Sequence, residues 1–158
     1  MASKVHKSGC PAIRAEPRVC AEASTSIANG LWRARSRSVT TAGLSAADID
    51  FAELHDCFSI AEILDTEDLG IVPRGKGHEW ALEGRTAVDG SMPINPSGGL
   101  LAKGHPVGAT GLGQIYEAVL QLRGTHPNQV RDAAIGLTHN LGGTGVACSV
   151  TILGRPDA

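Results

Sequence analysis

The sequence predicts a layered α/β domain, in which helices pack against a β-sheet. Three observations carry this prediction: an apolar run typical of a short buried strand, two stretches with helical periodicity, and two β-rich runs near the end of the chain. Their order is strand, helix, helix, strand, strand. That order is typical of proteins in which sheet and helices form separate layers.

The first 41 residues differ in composition from the remainder. They hold half of the Lys and Arg residues, seven of 14, and two acidic residues, without any sustained apolar period. Such a stretch lacks a face that a core could bury. We therefore predict a poorly structured N-terminal segment over residues 1–41 and one folded domain over residues 42–158.

The domain is predicted to open with a strand at about residues 49–54, followed by a helix. The helix is indicated by an apolar face with one acidic member at spacings i, i+3, i+4 and i+7, made by Ile60, Ile63, Leu64 and Glu67. Gly70 is placed to end this helix. Residues 71–96, rich in Gly, Pro and charge, are predicted to run over the surface, and their length suggests a functional loop.

A glycine-rich stretch, SGGLLAKGHPVGATGLGQ at residues 97–114, holds six glycines and one histidine, His105. Glycine permits unusual backbone angles and proline fixes φ, so the stretch suits a loop that holds an imidazole still. A second helix follows and ends before Gly124, with Leu112, Ile115, Val119 and Leu122 on one helical face. The runs DAAIGLT and VACSVTIL predict an antiparallel strand pair joined by HNLGGTG.

Composition and charge exclude several classes of function. The formal net charge of −2 gives no general attraction to nucleic acid, and no run of 18 apolar residues could span a bilayer. The four cysteines form no CxxC pair, so the sequence predicts neither a zinc site nor a disulfide framework. Reduced thiols are typical of a cytoplasmic protein, although the Arg-rich and Ser-rich start also has features of an organellar transit peptide.

Three polar clusters lie at predicted ends of strands or starts of helices: HDCF, KGHPVGATG and HNLGG. Ligands of layered α/β folds gather at such ends. A lone histidine in a glycine loop is nevertheless more often a structural hydrogen-bonding residue than a catalyst. Three clusters with matching placement favour a shared site, but their spacing alone does not bring them together.

The stretches ELHDCFSIAEI, INPSGGLLAKGHPVGATGLGQ and HNLGGTGVACSVTIL resemble the C-terminal half of thiolases. The resemblance is greatest to archaeal acetyl-CoA acetyltransferases and sterol-carrier-protein thiolases, and it covers about residues 43–153. It implies a mixed sheet with helices packed on it. It also implies Claisen chemistry on coenzyme A thioesters as substrates, with no covalently bound cofactor and no metal.

The resemblance assigns roles to individual residues. His105 would accept the proton of a nucleophile and hydrogen-bond a thioester oxygen, and Cys57 would remove a proton from the α-carbon. His55 would donate a hydrogen bond that helps to position a water molecule of an oxyanion hole. His139 stands where many thiolases have a cysteine. The remaining assignments are oxyanion or loop support by Gly104, Asn140, Leu141 and Gly142, and substrate binding by Phe58, Ser97 and Gly98.

The thiolase nucleophile belongs to the N-terminal half of that family, and residues 1–41 contain nothing that resembles it. Cys10 and Cys20 lack the family's sequence context. The resemblance therefore implies a partner, either an N-terminal thiolase half or a homologous thiolase subunit, with an acyl-CoA-binding OB-fold protein as a further candidate. The half-enzyme would be a fragment, a separately encoded subunit, or a degenerate product that keeps only the C-terminal domain.

The first hypothesis is an acyltransferase half in an oligomeric enzyme of lipid metabolism. The alternatives are a noncatalytic interaction subunit or fragment, and a retro-aldolase of the same fold.

Overall fold

The computed structural model describes residues 18–26, 42–143 and 147–156, and elements are numbered within these ranges. The strands are β1 (Arg18–Ser26), β2 (Phe51–Glu53), β3 (Ile135–Gly142) and β4 (Ala147–Gly154). The helices are α1 (Ser59–Asp68), α2 (Gly77–Leu82), α3 (Gly99–Lys103) and α4 (Thr110–Arg123). A short 3₁₀ helix, Ala46–Asp48, precedes β2.

The four strands form one mixed sheet in the order β1-β4-β3-β2. Strand β4 is antiparallel to both β1 and β3, whereas β2 is parallel to β3. The prediction of a layered α/β fold with a mixed sheet is confirmed, as is the antiparallel pairing of the last two strands. The predicted first strand is present as β2, although it is shorter than residues 49–54.

Two predictions about strands need correction. Strand β1 lies inside the segment for which no regular element was predicted, because a polar edge strand carries little apolar periodicity. For the rest of residues 1–41, which lie outside the described ranges, the proposed boundary stays a prediction. Strand β3 continues through Gly142, so the residues HNLG are part of a strand paired with β4 and not of a connecting loop.

The segment 71–96 is not only a surface excursion. It contains helix α2, and its ends bury Val72, Met92 and Ile94 in the core. Ile94 also forms a parallel bridge with Ala52 of β2. Because the segment is rich in Gly, Pro and charged residues, its sequence did not indicate that these few apolar residues are buried.

Helices α1 and α4 lie where they were predicted, but only part of each apolar face is buried. Leu112 is 71% exposed, and Ile60 and Leu64 are 57% and 53% exposed. The buried residues are Asp65 and Thr66 of α1, and Thr110, Gln114, Ala118, Gln121 and Leu122 of α4. Of these, only Leu122 belongs to an apolar face identified in the sequence. Hydrogen bonds make this possible: the Gln114 amide donates to the carbonyl of His139, at 2.9 Å.

Apolar side chains pack on both sides of the sheet. On one side, Phe51 and Leu153 pack with Ala118 and Leu122 of α4. Phe51 lies so close to the neighbouring strand that a Cβ on Gly136 would overlap its ring. A larger cluster includes Ile49, Ala52, Leu54, Leu69, Met92, Ile94, Leu137, Cys148, Val150 and Ile152. The sheet is thus held from two sides, and the ends of β2 and β3 are fixed relative to α4.

Candidate active site

His55 is positioned by the parallel pairing of β2 and β3. Glu53 pairs with Thr138, so two residues further along, His55 comes beside Asn140. The His55 Nδ1 atom lies 2.8 Å from the Asn140 Oδ1 atom, and His55 is 4% exposed. An amide oxygen can only accept, so Nδ1 carries the proton in this contact.

His105 is held by the first residue of α4. Its Nδ1 atom lies 2.7 Å from the hydroxyl oxygen of Thr110, and that hydroxyl donates to the carbonyl of Pro106, at 3.0 Å. A hydroxyl has one proton, so with that proton on Pro106 it accepts from Nδ1–H of His105. The Nε2 atom of a neutral His105 is then the nitrogen that can accept a proton.

The two imidazoles meet at one end of the sheet. The ring centroids of His55 and His105 are 4.9 Å apart and the ring planes are nearly perpendicular. The start of α4 reaches the same place, because a Cβ on Gly111 would lie 3.0 Å from the Asn140 amide nitrogen. Three sequence-predicted residues, His55, His105 and Asn140, are therefore brought together.

The environment of His55 favours its neutral form. Burial lowers its pKa below the usual 6.5, and the nearby imidazoles of His105 and His139 lower it further. The hydrogen bond to Asn140 and the charge of Asp65 oppose this shift without cancelling it. His55 is thus an uncharged imidazole at neutral pH.

His139 has the opposite charge state. It is fully buried on β3, and its Nδ1 atom lies 3.4 Å from a carboxylate oxygen of Asp65 on α1. Burial alone lowers its pKa, but the interactions with Asp65 and Cys148 outweigh that effect and raise the pKa to about 9. The raised pKa favours the protonated form of His139 beside Asp65, and the side chain is buried and does not face an open cleft.

Asp56, which the sequence analysis did not single out, anchors the glycine loop. Its carboxylate accepts a hydrogen bond from the backbone N–H of Leu100, at 2.7 Å. Gly99 has a φ of 63°, and a Cβ at this position would overlap the Asp56 carboxylate. The adjacent Cys57 is a free, half-buried thiol. An acid inside the HDCF stretch, together with a double glycine, was the available signal for this contact.

Glu53 was also missed, and it gives Ser97 a structural partner. The Ser97 hydroxyl donates to Glu53 at 2.6 Å, and its backbone N–H donates to the other carboxylate oxygen at 3.1 Å. Burial of Glu53 raises the pKa of its carboxyl, while Ser97 and the nearby Lys103 lower it in part. The Ser97 hydroxyl is therefore engaged in holding the loop, and substrate binding by Ser97 and Gly98 stays a prediction.

A further link joins the loop before α3 to β2 and α1. The side chain of Asn95 accepts from the backbone N–H of Leu54, at 2.6 Å, and donates to Glu62, at 2.8 Å. Asn95 has a left-handed backbone with a φ of 49°, which asparagine tolerates better than most residues. This amide holds the chain at the end of β2, next to the HDCF residues.

The remaining predicted residues surround the site. Leu141 and Gly142 are half-buried at the end of β3, and Gly104 ends α3 with a φ of 95°. Phe58, before α1, is 70% exposed. Within the described residues no group of three His, Cys, Asp or Glu side chains is arranged to hold a metal ion, and no helix is long and apolar enough to cross a membrane.

The fold and these motifs define a class of protein. Residues 15–155 match the thiolase C-terminal domain-like family, so the chain belongs to that family. It is similar to an acetyl-CoA acetyltransferase of Methanothermobacter thermautotrophicus, with 54% identity over 115 residues, covering 72% of this chain and 30% of the relative. It is also similar to sterol carrier protein 2 of Oryctolagus cuniculus, with 48% identity over 128 residues, covering 79% of this chain and 23% of the relative.

One solved structure extends this comparison. An Ltp2-ChsH2(DUF35) aldolase superposes with a TM-score of 0.82 and 26% identity, covering 92% of this chain and 41% of that chain. The present chain thus spans less than a third of the length of the two relatives and less than half of the aldolase chain.

Proposed function

We propose that this chain supplies the histidine-bearing half of a thiolase-type acyltransferase that condenses or cleaves acyl-CoA thioesters. The observation that carries the proposal is the convergence of His55, His105 and Asn140 from three separate loops and strands at one end of the sheet. Membership of the thiolase C-terminal domain-like family and the similarity to an acetyl-CoA acetyltransferase support the same chemistry. A cytoplasmic location and a role in lipid metabolism belong to this proposal.

His105 acts as the base of the first half-reaction. Its Nδ1–H is held by Thr110, which leaves Nε2 to take the proton of a cysteine thiol on the partner half. The resulting thiolate attacks the thioester carbonyl, and the leaving CoA thiolate is protonated in return. Leu141, Gly142 and Gly104 contribute backbone to the surroundings of the thioester oxygen.

Cys57 and His139 serve the second half-reaction. The Cys57 thiol, in its thiolate form, removes a proton from the α-carbon of the attacking acyl group. The raised pKa of His139 favours its protonated form at neutral pH, so we assign it the role of a fixed positive charge behind the site and not that of a base. Phe58, Ser97 and Gly98 lie along the approach of the acyl-CoA.

The partner is an N-terminal thiolase half or a homologous thiolase subunit. The outer faces of α1 and α4 support this: Ile60 and Leu64 are exposed at i and i+4, as are Leu112 and Tyr116. Both helices start at the site, so a partner covering these faces would bring its nucleophile to His105.

Complementation tests this function. The chain is mixed with the N-terminal part of the Methanothermobacter acetyl-CoA acetyltransferase, and thiolysis of acetoacetyl-CoA is measured. We expect activity in the mixture and none from either part alone. His105→Ala should lower it by roughly 10²–10⁴, the usual contribution of a positioned base. His78→Ala, at an exposed position on α2, is the matched control and should leave the rate unchanged.

Cys57→Ala separates the two half-reactions. It should leave formation of the acyl-enzyme intact, as detected by mass spectrometry, and abolish condensation. Equal loss of both steps would contradict the role of Cys57. Thiolysis by the chain alone, removed by Cys10→Ala or Cys20→Ala, would contradict the need for a partner.

The similarity to an aldolase favours a second candidate, a retro-aldolase of the same fold. That enzyme class breaks a carbon–carbon bond without consuming free CoA, so cleavage of a β-hydroxyacyl-CoA in the absence of CoA would favour it. The DUF35 protein named with the aldolase makes an OB-fold, acyl-CoA-binding partner the candidate to add in that assay. A complex that forms without either activity would indicate a noncatalytic interaction subunit.

A further inference from the structure

The hydrogen bond between His55 and Asn140 decides what His55 can offer to a ligand. The resemblance to thiolases implied that His55 donates a hydrogen bond. In the structure its Nδ1–H is already committed to the Asn140 side-chain oxygen, at 2.8 Å. A neutral imidazole has one N–H, so the remaining nitrogen, Nε2, carries a lone pair.

We propose that Asn140 is a positioning residue that fixes His55 as its Nδ1–H tautomer, so that Nε2 of His55 faces the site as a hydrogen-bond acceptor. The ligand at Nε2 is therefore a hydrogen-bond donor, of which water is the simplest. A water that gives one proton to Nε2 has its second proton for a carbonyl oxygen of the substrate. His55 thus holds such a water by accepting a hydrogen bond from it, and not by donating one to it.

The Asn140 side chain lies between His55 and the start of α4. Its oxygen is 2.8 Å from Nδ1 of His55. Its nitrogen is on the side of α4, where a Cβ on Gly111 would lie 3.0 Å from it. The amide therefore presents its acceptor oxygen, and not its N–H groups, to His55.

The groups around His55 favour its neutral form, and only the neutral imidazole has two distinct tautomers. Those that face it are His105 from the glycine loop, His139 from β3 and Asp65 from α1. Asp65 is paired with His139, at 3.4 Å, so its negative charge is largely offset. Burial and these imidazoles keep His55 neutral at neutral pH, where Nε2 accepts a hydrogen bond.

Long-range ¹H–¹⁵N NMR on the whole ¹⁵N-labelled chain reads the tautomer of each histidine directly. At neutral pH we expect His55 to carry its proton on Nδ1, which is the less common tautomer in solution. A wild-type spectrum with the proton on Nε2 would overturn the proposal, and this measurement needs no variant that could fail to fold.

Two variants test the role of Asn140. In Asn140→Ala the proton of His55 should move to Nε2, and its titration should shift to lower pH because a hydrogen bond to the protonated ring is lost. In Asn140→Asp the proton should stay on Nδ1 and the titration should shift to higher pH. A merely structural role would not move the titration in opposite directions. An unchanged tautomer in Asn140→Ala would also overturn the proposal.

Thr110→Val is the matched control, since it should alter the tautomer of His105 and leave that of His55 unchanged. The inference rests on the proposed function only for the identity of the substrate carbonyl. The NMR result stands without any activity, so failed complementation with the expected tautomer would reject the acyltransferase function and not the role of Asn140.

Discussion

The two sides of helices α1 and α4 are partly reversed relative to an ordinary surface helix, although Ala118 and Leu122 of α4 still face the core. Toward the sheet they bury polar groups, among them Asp65 and Gln121, whereas their outer sides expose Leu64 and Leu112. The inner side is polar because its groups hold the backbone and His139 in place through hydrogen bonds and charge. Under the proposed function, the outer side is apolar because the partner subunit covers it. The difference teaches that apolar periodicity in these helices finds both core residues, such as Leu122, and exposed residues, such as Leu112, which the proposed function assigns to an interface.

The strongest test of the polar inner side is the ion pair between Asp65 and His139. Asp65→Asn would leave His139 buried without its counter-charge. Removing one partner of a buried pair costs about 3–5 kcal/mol. We expect an unfolding free energy lower by that order, measured by urea denaturation at neutral pH. A change within roughly 0.5 kcal/mol, the usual range for surface substitutions, would show that the pair contributes little.

The pH dependence of stability is a second test of the same ion pair, because the direction of the change can be predicted. The pKa of His139 is raised from 6.5 to about 9, so its contribution is fully present below pH 6.5 and is lost as pH rises through 9. This shift in pKa corresponds to a contribution on the order of 3 kcal/mol to the free energy of unfolding. In Asp65→Asn this loss between pH 6.5 and 9 should largely disappear. The same slope in wild type and variant would assign the pH dependence to other groups.

Substitution of Gln121 tests an uncharged polar residue on the inner side of α4. Its side chain accepts from the backbone N–H of Val130 and donates to the carbonyl of Asn128, both at 2.8 Å. Gln121→Met keeps the length of the side chain but leaves these buried groups without partners, which costs about 1–3 kcal/mol. Gln129→Met is the same change at an exposed position, where water can replace the hydrogen bonds that the Gln129 side chain makes to Gln121, Val130 and His126. It should therefore cost less, about 0.5–1.5 kcal/mol. Equal losses in urea denaturation would contradict the comparison.

The limits of sequence reasoning in this protein follow from the same reversal. The helices around Ile63 and Ile115 were predicted from periodicity, and Gly70 and Gly124 were correctly placed beyond their ends. The direction of the helical faces could not be predicted, since periodicity finds the apolar side but not what covers it. β1 was missed because its pairing with β4 is a long-range contact without a local signal.

The candidate site was likewise predicted only in part from the sequence. The HDCF, GHP and HNLGG stretches were recognised, and the register of β2 and β3 brings two of them together at His55 and Asn140. The sequence could not reveal that His139 is buried as a cation, because this depends on Asp65, which lies 74 positions earlier on another element. Residue types identified the chemistry, while tertiary contacts determined the charge states.

The smallest expected effect on stability comes from the apolar outer side. Leu112 is 71% and Tyr116 61% exposed, so the double substitution Leu112→Ser and Tyr116→Ser should change the unfolding free energy of the chain by less than about 0.5 kcal/mol per site. The same variant should weaken binding to the N-terminal thiolase part, because each side chain loses burial worth about 1.5–3 kcal/mol. That is roughly a tenfold to hundredfold increase in Kd per side chain, measurable by calorimetry.

Leu82→Ser is the matched control for this outer side. Leu82 ends α2 and is 86% exposed, but it lies outside the faces of α1 and α4. Its substitution should alter neither stability nor binding. If both variants weaken binding equally, contact with the partner is not confined to α1 and α4. If the Leu112 and Tyr116 variant destabilises the isolated chain by several kcal/mol, the outer side belongs to the core of this domain, and the reversal of the two faces is wrong.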